Sequence, residues 1–356
     1  MCRHIEYYIV LIMKNIQLFF GACIIVGFLS SCATTQQTAR PNQQSVNKYT
    51  ASFPTKDVSD QLVAIQQSVK RITSKANFRI HFFNNQNLTL KEIRQSPNIG
   101  KLASKNESVQ RGIAGTAVAI LRNDNHIALV TARHVVSFPD TIVTYKQGKN
   151  IPQHKFVASI GIKKKQNNYL IYKYRLLTMH KIAEDKKHDL ALIDVPVEGT
   201  KVDIPPLDIT YGHAKRLQVG SFIYIFGYPL GAEMVTRGIV SKPNYDGRGS
   251  FLTDAIFNHG ISGGLIAASD NNFRTFQWVG MAVTASATQQ QVLIPNPNNG
   301  QDYYNHQAYT DTAYVSKKKT INYGLTSSTP VDQILAFLIQ NEAKLKKIGL
   351  SVSNLQ

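Results

Sequence analysis

A serine flanked by glycines, in Gly260-Ile261-Ser262-Gly263-Gly264, is the residue of this 356-residue chain best suited to covalent chemistry. A serine hydroxyl is a weak nucleophile at neutral pH unless an imidazole accepts its proton and a carboxylate orients that imidazole. His134 and Asp189 precede the serine and could supply those two groups. The glycines allow backbone N–H groups to point at a developing oxyanion. Together these residues predict acyl transfer through a serine ester.

His134 and Asp189 each adjoin an apolar stretch typical of a buried strand. His134 lies in 129–136, where such a strand runs into a turn, and Asp189 begins the stretch 189–195. A carboxylate beside an apolar strand is partly desolvated and well placed to orient a histidine Nδ1–H. Asp194 is a rival carboxylate, but it lies five residues further along the strand and therefore faces the other side. The pattern favours His134 and Asp189 as the pair.

Short apolar runs separated by turn residues begin near Phe78 and predict a series of β-strands. The clearest runs are 116–121, 127–131, 191–195, 221–226, 234–240 and 278–283. Many short strands of this kind indicate barrels or a sandwich. Apolar residues at helical spacing predict an amphipathic helix over 59–75. Thr329 and Pro330 predict the start of a C-terminal helix that Gly349 ends.

Several segments resemble, in the same order, the trypsin-like (chymotrypsin-fold) serine peptidases, and most closely the protease domain of the bacterial HtrA (Deg) enzymes without a PDZ domain. The resemblance runs from about Gly112 to Leu338. It is carried by 115–118, 131–136, 189–192, 227–231, 235–241, 253–255, 258–264, 279–281 and 321–325. It implies an all-β fold of two packed antiparallel β-barrels, with an N-terminal helix, a C-terminal helix and an active site in the cleft between the barrels.

The resemblance also implies a role for each candidate residue. Ser262 is the nucleophile, His134 the general base and then the general acid, and Asp189 the orienting carboxylate. The backbone N–H groups of Gly260 and Ser262 form the oxyanion hole. Loss of one such donor typically slows acyl transfer about a hundredfold or more. Ile261 stands where the family usually has Asn or Asp, and whether the hole is already formed at rest is an open question.

The same resemblance places Ile256 near the floor of the S1 substrate pocket and Ala285 in its wall. Neither residue is a carboxylate, so cleavage after Lys or Arg is not expected. A small or medium aliphatic P1 residue, such as Val, Ala or Ile, is the expectation. Arg133, where the family usually has Ala, is a second departure and lies beside His134.

The N-terminus has the features of an export signal. A short basic region at 13–15 precedes an apolar run over 16–29, and residues 29–32 read Leu-Ser-Ser-Cys. That tetrad resembles a lipobox, which implies lipidation of Cys32 and a place in the bacterial cell envelope, anchored in the outer membrane and facing the periplasm. A transmembrane anchor over 7–29 is the alternative. Translation starts at Met1 or Met13.

These patterns combine into a plan of the whole chain. It comprises a lipoprotein signal peptide at 1–31, a flexible tether at 32–55, an amphipathic helix at 56–77, a first β-barrel with the histidine and aspartate at 78–205, a second β-barrel with the nucleophile at 206–328, and a C-terminal helix at 329–349. The three cysteines are Cys2, Cys23 and Cys32. An exported domain that begins at Cys32 would therefore depend on core packing rather than disulfides.

Charge and histidine spacing restrict the partners. The net charge of +18 is consistent with attraction to anionic surfaces or simply with a solvated basic surface. No nucleic-acid-binding motif accompanies it, and the remaining histidines lack metal-ligand spacing, so we expect no nucleic acid, metal or cofactor. Polypeptide substrates and a membrane contacted through Cys32 are the expected partners, and the oligomeric state is open.

The resulting hypothesis is a lipid-anchored envelope serine endopeptidase that cleaves exposed or unfolded polypeptides. Two alternatives remain open. One is a catalytically silent pseudoprotease that binds peptides in the cleft. The other is an envelope lipoprotein whose basic surface binds a partner, with the protease fold as an inherited scaffold.

Overall fold

The computed structural model describes residues 49–51, 56–146, 151–152, 154–270, 273, 275–295, 309 and 312–355, with the backbone alone at a few positions that include 284–289 and 319–325. The predicted signal peptide 1–31, the predicted lipidation site Cys32 and most of the tether 32–55 lie outside the described residues. The described part contains fourteen strands and six short α-helices. None of these helices is long and apolar enough to cross a bilayer.

Strands β1 to β7 form the first barrel. They are β1 Val69–Phe82, β2 Lys105–Arg122, β3 His126–Ala132, β4 Thr141–Tyr145, β5 Val157–Tyr172, β6 Arg175–Asp185 and β7 Leu190–Pro196. The order β1-β2-β3-β7-β6-β5 closes into a six-stranded ring because β5 also pairs with β1, and β4 pairs with β5 outside that ring. Closure removes the free sheet edges. Ile72, Leu129 and Leu192 belong to its fully buried apolar core.

Strands β8 to β14 form the second barrel. They are β8 Thr210–Tyr211, β9 Phe222–Gly227, β10 Met234–Lys242, β11 Phe251–Thr253, β12 Leu265–Asp270, β13 Thr275–Ile294 and β14 Tyr314–Pro330. The ring β12-β9-β10-β11-β14-β13 closes through the pairing of β12 with β13, and the short β8 runs parallel to β13. All ring pairings in both barrels are antiparallel. The predicted all-β fold of two antiparallel barrels is confirmed.

The helices are short, and they lie before, between and after the strands. Their bounds are α1 Ser59–Gln66, α2 Leu90–Gln95, α3 Ile99–Leu102, α4 Arg133–Val136, α5 Val331–Gln340 and α6 Glu342–Lys346. The C-terminal helix predicted over 329–349 is divided at Asn341, whose φ of −107° and ψ of 13° lie outside the helical region. Thr329 does not cap it, because its hydroxyl donates to His188 O over 3.0 Å and Pro330 is the N-cap residue.

The N-terminal helix predicted over 59–75, with its segment at 56–77, is wrong beyond Gln66. Val69 and Ile72 fit the helical spacing, but they lie in β1, between β2 and β5. Alternate residues from Ile72 to Phe78 are buried, which is the period of a strand with one face on a core. Tertiary pairing therefore overrides a helical pattern here, and the first barrel begins at Val69 rather than at 78.

The described end of the predicted tether is docked on the second barrel. Tyr49 is buried, and its hydroxyl donates to Gln277 Oε1 over 2.9 Å and accepts the His213 N–H over 2.9 Å. Thr50 donates its N–H to Ser269 O and accepts the Phe222 N–H. At residues 49–51 the expectation of a flexible tether is therefore wrong, because a buried aromatic ring and paired backbone groups fix this segment.

Candidate active site

The end of β3 and the start of β7 bring His134 and Asp189 together. These strands are antiparallel neighbours in which Ala132 pairs with Leu190, so the residues just beyond that pair meet. His134 Nδ1 lies 2.5 Å from Asp189 Oδ2, and the His134 backbone N–H donates to Asp189 Oδ1 over 2.9 Å. Both carboxylate oxygens bond to the same histidine, and the ring's Nε2 is left for other chemistry.

Backbone geometry explains why the pair forms at this place. Helix α4 is a single turn in which Val135 and Val136 are buried, whereas the His134 side chain is 35% exposed. Asp189 has a φ of 55°, in the left-handed region that Asp tolerates better than most residues. Its carbonyl accepts the Arg133 N–H over 2.8 Å. The turn is therefore bonded through both the backbone and the carboxylate of Asp189.

Asp194 and a further nearby carboxylate, Asp185, pair with other histidines. Asp194 Oδ1 lies 2.9 Å from His126 Nδ1, and Asp185 Oδ2 lies 2.5 Å from His188 Nδ1. Asp194 is almost completely buried. Neither carboxylate is bonded to His134, which leaves Asp189 as the partner that the sequence predicts.

Arg133 finds its partner in the first barrel. Its Nε lies 3.4 Å from Glu184 Oε1. Hydrogen bonds from Lys181 Nζ and Ser137 Oγ, each 2.6 Å, lower the pKa of Glu184 to about 2. The arginine beside the histidine is therefore matched by a carboxylate that stays ionised at neutral pH.

Ser262 belongs to the second barrel and lies on the loop between β11 and β12, which we call the nucleophile loop. Its carbonyl accepts the Thr116 N–H of β2 over 2.8 Å. A Cβ added to Gly115 would lie 3.1 Å from Ser262 O and 2.5 Å from a methyl of Val135. Val135 follows His134, so Gly115 is where the nucleophile backbone and the histidine turn meet. A side chain at position 115 would separate them.

The Ser262 hydroxyl is directed at β13. Its Oγ donates to Val283 O over 2.8 Å, and within the described ranges no hydrogen bond joins it to His134. The structure thus brings His134 and Asp189 into direct contact. It places the Ser262 backbone against the turn that carries His134, with the serine hydroxyl bonded elsewhere. Hydrogen bonds in uncomplexed active sites often tighten only when a substrate binds.

Three successive peptide groups before and at the nucleophile have fixed orientations. Their carbonyls all accept hydrogen bonds: His259 O from Leu230 N at 2.6 Å, Gly260 O from Thr116 Oγ1 at 2.7 Å, and Ile261 O from Gly264 N at 2.8 Å. A trans peptide directs its N–H opposite to its carbonyl. In the described part of the chain, the N–H groups of Gly260 and Ser262 have no acceptor. Two backbone donors are therefore left available next to the serine.

The glycines of this loop are required by close approach. Gly260 has a φ of 102°, and a Cβ there would collide with Tyr228 O. Gly263 has a φ of 90°, and a Cβ there would collide with Thr116 O. Any other residue would move the nucleophile loop away from the strands that it contacts.

Ile261 is directed away from the cleft. Its side chain is 3% exposed and belongs to an apolar cluster of the second barrel. A Cβ added to Gly227 of β9 would lie 2.7 Å from Ile261 Cδ1. The side chain of the residue that departs from the family pattern thus anchors the nucleophile loop by apolar packing.

The predicted S1 pocket residues are only partly described. Ile256 is 58% exposed between the buried Ala255 and Phe257, so its side chain is open to solvent. The backbone of Ala285 pairs with Thr326 across β13 and β14, and its side chain lies outside the described part. Thr326 is fully buried, and its hydroxyl donates to Thr253 O over 3.0 Å.

Sequence reasoning missed Thr116 and Val283, which contact the nucleophile loop from two different strands. Thr116 is a polar residue within an otherwise apolar run, and that is the one signal that could have singled it out. Val283 acts through its backbone carbonyl, for which a sequence carries no signal. Among the described residues, no three His, Cys, Asp or Glu side chains converge in a way that could bind a metal ion.

Comparison with known proteins gives a match to a family model over part of the chain and a match to a solved structure. Residues 115–274 match the family model described as a trypsin-like peptidase domain. A solved structure described as the HtrA-type protease AlgW with a decapeptide matches with 14% sequence identity and a TM-score of 0.44, covering 80% of this chain and 67% of that one. The search of curated protein sequences found no match.

Proposed function

We propose that this chain, which carries a trypsin-like peptidase domain, is a lipid-anchored envelope serine endopeptidase that cleaves exposed polypeptides with Ser262, His134 and Asp189. One observation carries the proposal. His134 is bonded to both oxygens of Asp189, and the backbone of Ser262 meets the histidine turn at Gly115. Among the described residues, the N–H groups of Gly260 and Ser262 have no acceptor. Base, orienting carboxylate, nucleophile and oxyanion donors are the parts that acyl transfer to serine requires.

The reaction begins when the Ser262 hydroxyl turns from Val283 O to His134 Nε2. Oγ attacks the scissile carbonyl carbon as its proton passes to Nε2, and the N–H groups of Gly260 and Ser262 bind the oxyanion. His134 then protonates the leaving nitrogen, the C–N bond breaks, and an acyl ester remains on Ser262. A water molecule gives a proton to His134 and attacks the ester. The product acid leaves and Ser262 regains its proton.

Asp189 has two tasks in this sequence. It accepts Nδ1–H, so the neutral histidine presents a basic Nε2, and it stabilises the imidazolium that forms. The second hydrogen bond, from the His134 backbone N–H to Oδ1, prevents the carboxylate from turning away. The turn of the serine exchanges one hydrogen bond for another, so it is a small free-energy step.

A catalytically silent peptide-binding protein is the second candidate. The observation in its favour is the Ser262–Val283 hydrogen bond, which withdraws the serine proton from the base. The two functions differ in turnover alone. Purified chain with residues 1–31 removed should hydrolyse an unfolded, fluorogenic protein substrate, and Ser262→Ala should not. Equal and negligible turnover by both forms, with retained peptide binding, would favour the silent protein.

The substrate preference proposed here is an aliphatic P1 residue. No acidic residue stands at position 256 or 285, so nothing at these positions would attract a Lys or Arg side chain. Peptide libraries cleaved by the wild-type chain should show Val, Ala or Ile before the cut. Enrichment of Lys or Arg at that place would contradict the pocket assignment without contradicting the triad.

The membrane anchor is proposed on the sequence of the N-terminus alone. Lipidation of Cys32 would retain the protein in the bacterial envelope, at the outer membrane and facing the periplasm. Metabolic labelling with a fatty-acid analogue should mark the wild-type chain and not Cys32→Ser. If Cys32→Ser stays in the membrane fraction after a high-salt wash, a transmembrane segment over 7–29 is the better explanation.

A further inference from the structure

Thr116 connects the first barrel to the backbone of the nucleophile loop. It lies in β2 and is fully buried. Its hydroxyl donates to Gly260 O over 2.7 Å and accepts the Tyr228 N–H over 3.0 Å. Its own N–H donates to Ser262 O over 2.8 Å. Three hydrogen bonds of one residue thus cross from the first barrel to the segments that flank the candidate oxyanion hole.

The position of Thr116 within its own barrel is also fixed. Its carbonyl accepts the Thr131 hydroxyl of β3 over 2.6 Å. A Cβ on Gly227 would lie 2.9 Å from Thr116 Oγ1, so the hydroxyl is closely packed against the second barrel. The hydroxyl gives its single proton to Gly260 O and accepts the Tyr228 N–H, so rotation of the side chain would break both hydrogen bonds.

The three fixed peptides of the nucleophile loop differ in how they are bonded. His259 O and Ile261 O accept from backbone N–H groups, whereas Gly260 O accepts from a side chain. The Ile261 N–H of the same peptide donates to Asn258 O over 3.2 Å. In the described part of the chain, the carbonyl end of that peptide is held by the Thr116 hydroxyl, which a substitution can remove. Ile261 has no polar side-chain atom that could take over the bond.

We propose that Thr116 is a positioning residue for the oxyanion hole. Its hydroxyl holds the Gly260–Ile261 peptide, which links the two peptides that carry the N–H groups of Gly260 and Ser262, and thereby keeps these two donors directed at the substrate carbonyl. The inference rests on the proposed serine peptidase function. It adds that hole geometry depends on contact between the two barrels, since the bond is made by β2 of the first barrel.

Two variants at one position test this. Thr116→Val keeps the shape and removes the hydroxyl, and Thr116→Ser keeps the hydroxyl. Removal of an oxyanion donor costs about a hundredfold to a thousandfold in kcat, and loss of a group that only orients such a donor should cost less, about tenfold to a hundredfold. We expect kcat to fall about tenfold to a hundredfold in Thr116→Val with KM nearly unchanged, and we expect wild-type kcat in Thr116→Ser.

Thr73→Val is the matched control. It removes a hydroxyl that is bonded to Ile113 O between β1 and β2, and it should retain wild-type kcat.

A second readout does not need activity. Crystal structures of Thr116→Val and Thr116→Ser, each combined with Ser262→Ala, report the orientation of the Gly260–Ile261 peptide directly. A rotated peptide in the valine form and the original one in the serine form support the proposal. An unrotated peptide in the valine form overturns it. If the wild-type chain has no activity, the proposed function fails, and the two structures still decide the role of Thr116.

Discussion

Replacement of Gly260 by alanine should damage the nucleophile loop through backbone strain and through a steric collision. Gly260 has a φ of 102°, and an added Cβ would collide with Tyr228 O and lie 3.3 Å from Leu230 N. A left-handed conformation costs an L residue about 1–2 kcal/mol, and overpacking of a dense site costs about 1–3 kcal/mol. Gly260→Ala should therefore lower the free energy of unfolding by about 2–5 kcal/mol.

Gly247→Ala is the control that separates strain from collision. Gly247 has a φ of 73°, and a Cβ there would meet nothing within 4 Å. This variant should lose only the strain contribution of about 1–2 kcal/mol. Urea unfolding of both variants measures the difference between them, which is the cost of the contact with Tyr228.

The same pair of variants tests the proposed role of the Gly260 N–H. Relief of the collision must move Gly260 away from Tyr228, so its N–H leaves the position suited to an oxyanion. The rate of labelling by a fluorophosphonate, measured where both variants are folded, should fall about a hundredfold in Gly260→Ala and stay unchanged in Gly247→Ala. The reasoning is refuted if Gly260→Ala is as stable and as reactive as Gly247→Ala.

Three further changes have outcomes that follow from single contacts. Asp189→Asn should lower kcat about ten-thousandfold with little change in KM, because an amide favours the wrong tautomer of His134. Steady-state kinetics measure kcat and KM, and an unchanged kcat would contradict the role of Asp189 as the orienting carboxylate. Glu184 has a pKa lowered to about 2 from 4.5, so the ionised carboxylate stabilises the fold fully above pH 4.5 and loses this effect as the pH falls from 4.5 towards 2. The Tm difference between the wild-type chain and Glu184→Gln should therefore shrink over that pH range, and a constant difference would contradict the assigned ion pair. Tyr49→Phe removes the acceptor of the His213 N–H and should lower the free energy of unfolding by about 0.5–1.5 kcal/mol, measured by urea unfolding. An unchanged midpoint would show that the tether end is not fixed by this hydroxyl.

Local sequence patterns predict the strands and the pairing of His134 with Asp189, whereas the fold of two closed barrels is what the family resemblance implies. Runs of apolar residues with turns between them predict strands, and the strands that flank His134 and Asp189 are neighbours in the first barrel. Asp194 is correctly set aside because it lies five residues along β7 from Asp189 and bonds to His126. These features depend on residues close to one another in the chain or in one sheet.

The features that the sequence could not predict depend on contacts between distant segments. Val69 and Ile72 satisfy a helical spacing, and only pairing with β2 and β5 makes them part of a strand. Ile261 is directed into the second barrel because a space beside Gly227 receives it, and that space does not exist until the barrel closes. Thr116 is 144 residues from Gly260, whose carbonyl it bonds. Periodicity carries no information on such contacts.

Covalent modification of Ser262 is the most direct measurement of the central claim. The folded wild-type domain is incubated with a fluorophosphonate, digested, and mapped by mass spectrometry, in parallel with Ser262→Ala and His134→Ala. We expect a single adduct on Ser262 in the wild-type chain and none in either variant, because the hydroxyl reacts only when His134 accepts its proton. An unmodified wild-type Ser262, or an adduct that forms equally well in His134→Ala, would contradict the account.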